Sequence, residues 1–371
     1  MRSLAILCLV LLAAAVPGIE AAEPPALEAV RKAMGIPSEG ARRGQQDAVG
    51  FASTAPQMDE VVRLSAGGPA PEVLGEAPRG PVLGAVCPHD DYVYAGRMVR
   101  AVLAPVTAKT VVILGVFHKW RAFGFRDRLI FDPYQAWRSP DGDVPVSPLR
   151  EAVMGGLSRD DFVVDAAMQD AEHSVEPIVY WLRRQNPQVE ILPVLVPTMA
   201  FDRMEALAGR FAASLKAAMD ARGLVLGRDV MVVASSDAVH YGPDFDYTPF
   251  GEGGPEAYVK ACAQDRRLLK EYLDGPVTRR KAKGLTGKLV DPTEPGRYRI
   301  PWCGRFSVPF TLLVLEDLEG KGRARATPVA YATSVGWPEL AVTDGPRKTA
   351  PANLYHFVGY PGVVFTRAGG R

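Results

Sequence analysis

The sequence is short of the side chains that most often move protons and hold metals: its 371 residues contain five histidines and four cysteines. It also lacks a surplus of charge, with 43 Lys and Arg against 42 Asp and Glu. Such a balance gives no electrostatic hold on nucleic acid or on an anionic lipid surface, so neither is expected as a partner. No GxSxG elbow, phosphate loop, dinucleotide fingerprint or paired CxxC motif is present, and no internal repeat or low-complexity tract is evident. What the chain does have is a hydrophobic content of 47%, ample for a core.

Its N-terminus carries Arg2, an apolar run from Leu4 to Val16, then Pro17, Gly18 and the small residues Ala21 and Ala22. This is the pattern of a secretory signal peptide over residues 1–22, and it predicts a periplasmic or secreted protein that starts near Ala22 or Glu23. The run is shorter than the roughly 20 residues that span a bilayer, so no integral membrane segment is expected after its removal. Cys8 lies in that run without lipobox-like surroundings. Removing it leaves Cys87, Cys262 and Cys303, an odd number in an oxidising compartment. At least one of them must stay free, pair between chains or bind metal, and one disulfide is open, with Cys87–Cys303 among the pairings.

Residues 23–80 are rich in Ala, Pro and Gly and read as a lead-in arm, helical around Pro25–Met34. Residues 81–371 read as a single α/β domain. Buried-strand runs occur at Val82–Val86, Thr110–Val116, Val189–Val196 and Asp229–Ala234, with a late strand at Arg323–Thr333. Amphipathic helices are predicted at Gly96–Leu103, Pro148–Gly155, Val175–Arg184, Met204–Ala221, Glu256–Leu273 and Val308–Asp317. The segments Asp246–Gly254 and Lys281–Pro301, rich in Gly, Pro and charge, read as surface loops. The alternation implies a mixed, largely parallel central sheet with helices on both faces.

In such sheets ligands bind beyond the carboxyl ends of strands, and the scarce histidines fall there. His89 follows the first strand, His118 the second, and Asp237 with His240 the fourth. Together with Cys303, ahead of a predicted helix, His89 and His118 make a donor set for a divalent ion with open positions. The thiolate selects iron, copper or zinc over magnesium. Asp237 and His240 suit orienting and proton-transfer work. His173 lies in DAEHSVEP, where Asp170 or Ser174 is expected to cap the next helix with Glu176 in its first turn, which leaves His173 for an acid/base or supporting role. Tyr92 and Tyr94 offer hydroxyls or packing. Ser235 and Ser236 give a weak serine-hydrolase signal, whereas a Cys303 nucleophile with a histidine base is chemically stronger. His356 has no comparable setting.

These segments, in this order, resemble the Memo family, protein B of the AmmeMemoRadiSam system, which is similar in fold to the class III extradiol dioxygenases. PHDDYVYAG resembles the family's PHAGY and YSG pattern and carries over His89. ILGVFHKW resembles the strand ending in LGPSHH and carries over His118, with Lys119 in the second histidine's place. EHSxE matches at Glu172, His173, Ser174 and Glu176, SSDxxH at Ser235, Ser236, Asp237 and His240, and CGR at Cys303, Gly304 and Arg305. The resemblance implies iron or copper on His89, His118 and Cys303, with Asp237 and His240 beside it. In the related dioxygenases the third ligand is a carboxylate, so the cysteine argues against ordinary catechol ring cleavage. Asp90 and Asp91, standing where the family has small residues, are expected to favour cations over anionic catechol acids. Phe117 and Lys119 are expected to alter the rim of the site. The leader argues against a cytoplasmic radical-enzyme partner.

The functional expectation is an exported, dioxygenase-like oxidoreductase that performs metal-dependent redox chemistry on a small-molecule substrate or oxygen, its protein partner unspecified. Its rivals are a non-catalytic metal- or peptide-binding module and a cysteine-dependent hydrolase.

Overall fold

The computed structural model describes residues 38–68, 70–75 and 80–368. The expected leader, Cys8 and the expected Pro25–Met34 helix lie outside them. Four strands form the parallel heart: β1 (Val82–Cys87), β2 (Thr110–Val116), β5 (Glu190–Val196) and β6 (Val230–Ser235), in the spatial order β1-β6-β2-β5. Two further strands, β3 (Leu129–Phe131) and β4 (Phe162–Val164), continue the sheet beyond β5, and β3 pairs antiparallel with β5. On the opposite side β8 (Phe357–Arg367) pairs antiparallel with β1 and β7 (Ala324–Thr333) antiparallel with β8. The result is an eleven-stranded mixed sheet with short strands at its margins, the α/β architecture expected.

Side chains alternate across this sheet, as the two-residue strand period requires. Val112 and Leu114 of β2 face one apolar cluster, while Val111 and Ile113 face the other. The first cluster is closed by helices α3 (Leu149–Gly155), α5 (Phe201–Asp220), α6 (Pro255–Tyr272), α7 (Arg279–Leu289) and α8 (Ser307–Glu319). The second is closed by α1 (Ala55–Ala66), α2 (Tyr92–Leu103) and α4 (Glu176–Gln185). Burial on both faces explains why the parallel strands read as continuous apolar runs.

Four sequence expectations change. The stretch Lys281–Pro301 is not all loop: α7 runs through it, started by Thr278 accepting from the Lys281 amide and anchored by buried Ala282, Leu285, Thr286 and Leu289. Helix α1, with Met58, Val61 and Ser65 buried, lies where the sequence shows little periodicity. Strand β8 was not anticipated, because Gly359, Pro361 and Gly362 read as breakers. Finally, α2 begins at Tyr92 rather than Gly96. Among the described residues the cysteines, Cys87, Cys262 and Cys303, are buried and free, so the Cys87–Cys303 disulfide does not form. No helix of these residues is long and apolar enough to cross a membrane.

Candidate metal centre

Three parallel strands deliver the site. β1 ends at Cys87 and turns through Pro88 to His89, β2 ends at Val116 just before His118, and β6 ends at Ser235 just before Ser236 and Asp237. Cys303 arrives from the turn that precedes α8. That turn is pressed against the end of β6, where the Gly304 amide donates to Ser236 Oγ at 3.2 Å. A Cβ at Gly304 would lie 2.3 Å from Ser236 Cβ, so glycine is what lets the cysteine approach.

The donors converge. His89, His118 and His173 each offer a ring nitrogen within 4.8 Å of the others, and His89, Asp237 and Cys303 offer a nitrogen, an oxygen and a sulfur under the same limit. His118 Nε2 stands 3.3 Å from Cys303 Sγ, and His240 Nε2 stands 3.5 Å from the same sulfur. His173 stacks on His118 at 5.1 Å and is half-buried.

Hydrogen bonds fix the state of each ring. Ser235 Oγ donates its one proton to the Ser174 carbonyl at 2.6 Å, so it must accept from His89 Nδ1 at 2.7 Å. His89 Nε2 is therefore left bare, 3.3 Å from Asp237 Oδ2. Burial holds the His89 pKa well below the usual histidine value, aided by His118 and His173. Burial, with the nearby Asp90 charge, pushes Asp237 up to about 8. A bare nitrogen facing a carboxyl calls for a shared proton or a cation between them.

His118 is oriented differently. Its Nδ1 donates to Glu172 Oε1 at 2.9 Å, and its backbone amide donates to Glu172 Oε2 at 2.7 Å. The amides of His173 and Ser174 also donate to Oε1. Burial alone would raise the Glu172 pKa, but His118 outweighs it and holds the carboxyl well below its normal range. Burial would likewise lower His118, yet Glu172 and Cys303 push it up to about 10. The Nε2 proton of the metal-free ring thus points at sulfur, where a bound cation would replace it. A carboxylate behind a ligating imidazole is the arrangement that fixes tautomer and direction in metal sites. The donor set fits a soft or borderline transition ion.

Several expected roles shift. Asp237 does not orient His240; it accepts from the His89 amide at 3.0 Å, and His240 Nδ1 instead meets the Ala238 carbonyl at 3.1 Å. Neither Ser174 nor Asp170 caps α4. Ser174 ties down β2 by bonding both the amide and the carbonyl of Val116, and Asp170 accepts from Ser38 and Tyr134. Glu176 does stand in the first turn of α4, as expected, and is buried there in an ion pair with Arg43. Tyr92 and Tyr94 spend their hydroxyls on the Pro177 and Ala350 carbonyls. Ser235 and Ser236 are both committed to structural bonds, which removes the serine-nucleophile reading. Of the two rim residues, Phe117 is buried and Lys119 points to solvent.

Beside His240 opens a cavity of about 210 Å³, lined by Asp90, Asp91, Tyr94, Phe245, Thr349 and His356 among others, with no Lys or Arg among its described residues. His356, which had no setting in the sequence, pairs with Asp244 at 2.9 Å and packs on Phe245, whose ring also contacts His240. Asp90 accepts from Tyr360 at 2.5 Å, and Asp91 accepts from the amide and hydroxyl of Thr349. Glu172, which stands in the EHS segment, is a functional residue that the sequence reading above leaves without a role. An acidic residue directly before a site histidine was the available signal.

Comparison with known proteins decides the family: the profile described as Memo-like protein matches residues 57–339. The chain belongs to the Memo-like family. It is 29% identical over 214 residues to a MEMO1 family protein of Thermococcus onnurineus, covering 55% of this chain and 67% of that one. A MEMO1 family protein of Thermococcus kodakarensis is 30% identical over 200 residues, with 51% and 63% covered. One from Methanosarcina mazei is 29% identical over 256 residues, with 68% and 79% covered. The chain thus spans about two thirds of the length of the first of these relatives. Of the residues in the Memo-like motifs, His89, His118, Asp237 and His240 are the ones the fold brings to Cys303.

Proposed function

We propose that this Memo-like protein binds iron or copper, with zinc as a further candidate, through His89, His118 and Cys303, and that it uses the ion for redox chemistry on a small molecule or oxygen. The observation that carries this reading is the pairing of His118 Nε2 with Cys303 Sγ at 3.3 Å beside a His89 whose free nitrogen is turned to the same centre. Bound there, iron or copper would supply Lewis acidity and one-electron chemistry, and zinc Lewis acidity alone. The chain's own contribution is positional and protonic. His240, its Nδ1 held by Ala238, presents Nε2 as a proton acceptor between sulfur and cavity. Ser235 and Glu172 hold the two ligating rings at their Nδ1 atoms, and Asp237 anchors the His89 backbone amide.

The cavity supports a choice of substrate class. Its volume falls below the roughly 300–1,000 Å³ of drug-sized pockets, so its occupant is small. The Asp90 carboxylate and aromatic walls without a compensating Lys or Arg favour a cationic molecule, such as an amine, over an anionic acid, with Asp91, raised to about 7 by burial and by Asp90, adding part of a charge. The apolar leader supports export to the periplasm or beyond, tested by sequencing the N-terminus of protein recovered from cell fractions.

Elemental analysis of protein purified from its own compartment is expected to give near-stoichiometric iron or copper, lost in Cys303→Ala. Metal-free protein that hydrolyses an ester or amide, and loses that activity when Cys303 is alkylated, would replace this reading with the cysteine hydrolase. That rival is favoured by one observation, the Cys303–His118–Glu172 order of nucleophile, base and orienter. Stoichiometric metal with no oxygen consumption across amines, thiols and catechols would leave a binding module.

A further inference from the structure

Ahead of α1, residues 38–52 lie against the turn that carries Glu172, and they precede the family match at residue 57. Arg43 is the centre of that contact and is almost wholly buried. Its Nη2 donates to the carbonyls of Gln169 at 2.7 Å and Glu172 at 2.5 Å, and its Nη1 to Glu176 Oε1 at 2.5 Å. The guanidinium plane lies 4.0 Å over the Trp137 ring. Glu176 returns the grip by accepting from the amides of Gln46 at 2.6 Å and Asp47 at 3.0 Å. The two segments therefore hold each other from both sides.

The consequence reaches the metal centre in one step. The backbone that Arg43 clamps is that of Glu172, whose carboxylate takes four N–H donors, two of them from His118. A carboxylate can direct an imidazole only as firmly as its own backbone is held. Arg43 touches none of the candidate ligands itself. We propose that Arg43 is a positioning residue of the metal centre: it fixes the Glu172 turn so that Glu172 aims His118 Nε2 at Cys303. This rests on the metal reading above. A lysine cannot substitute, because one ammonium cannot reproduce a planar fork that reaches three acceptors while stacked on an indole.

The test uses the full chain with cobalt(II) as a spectroscopic probe and with chelator competition for affinity. Arg43→Met is expected to lose 10–100-fold in cobalt affinity, the size typical for outer partners of metal ligands, and to change the ligand-field spectrum. Arg43→Lys should not rescue it. Because Arg43→Met strands a buried Glu176, the double variant Arg43→Met with Glu176→Met removes both charges and should keep the defect. Arg150→Met breaks another buried pair, with Asp132, and serves as the control for general destabilisation. It should leave affinity unchanged. In metal-free protein the His118 Nδ1 proton should be protected from exchange in the wild type and unprotected in the Arg43 variants. Wild-type affinity and spectrum in Arg43→Met and in the double variant, or an equal loss in Arg150→Met, would overturn the role of Arg43. Wild-type protein that binds no cobalt would overturn the metal reading instead, and the exchange measurement would still decide whether Arg43 positions His118.

Discussion

Glu172 shows how one side chain can set the chemistry of another. Four N–H groups point at its two oxygens, so a glutamine there must turn its NH₂ toward at least one donor. Glu172→Gln is expected to weaken metal binding by 10–100-fold and to leave the secondary structure unchanged, read by chelator competition and circular dichroism. Ser235→Ala is the companion case: with no acceptor on Nδ1, His89 can carry its proton on Nε2, and metal affinity should fall in the same assay. The candidate ligands were legible in the sequence because histidine and cysteine are rare here, with His89 and His118 just past strand ends and Cys303 ahead of a helix. Their supports were not. Glu172, Ser235 and Arg43 belong to common residue types, and what each does depends on tertiary burial that brings residues over 100 positions apart into contact, as with Arg43 and Glu172. The exchange of roles at Asp237, which serves His89 and not the His240 nearby in sequence, has the same cause.

At the scale of elements, the parallel strands were readable because burial on two faces makes them plain apolar runs. Helix α7 and strand β8 were hidden by residues that usually interrupt structure. Gly284 of α7 is tolerated because the Tyr272 ring fills its place, where an added Cβ would lie 2.5 Å from Cε1. The turn carrying Cys303 depends on a similar close approach. Gly304→Ala is expected to cost about 1–3 kcal/mol as overpacking and to abolish metal binding by displacing Cys303, with partial recovery in a second-site Ser236→Gly; thermal melts and metal titration check both. Asp265 of α6 joins this turn to the sheet, accepting from Trp302 at 2.7 Å, Tyr331 at 2.8 Å and the Val239 amide at 3.2 Å. Burial outweighs these donors and raises its pKa from 3.8 to about 6. The folded state thus prefers the protonated form, so this contribution is complete below about pH 4 and lost as pH rises through 6. On the order of 3 kcal/mol is at stake. The stability difference between wild type and Asp265→Asn should change across that window and be flat above it, as measured by denaturant unfolding at stepped pH.

For the molecule as a whole, a metal that binds only the folded chain must stabilise it. The donors come from β1, β2 and the turn before α8, which are far apart in any unfolded chain, so binding and folding are linked. At free metal 100-fold above its dissociation constant the gain is about 2.7 kcal/mol. In a chain of this size that corresponds to a rise in the melting temperature on the order of 5 °C. Chelation should remove the rise, and Cys303→Ala should never show it. Acid should weaken it as well, because the thiol and imidazolium protons compete with the ion for the same lone pairs. A melting temperature indifferent to iron, copper and zinc alike, in protein shown to be folded with Cys303 reduced, would remove the metal reading and leave the His118–Cys303 pair to be tested as a nucleophile and its base.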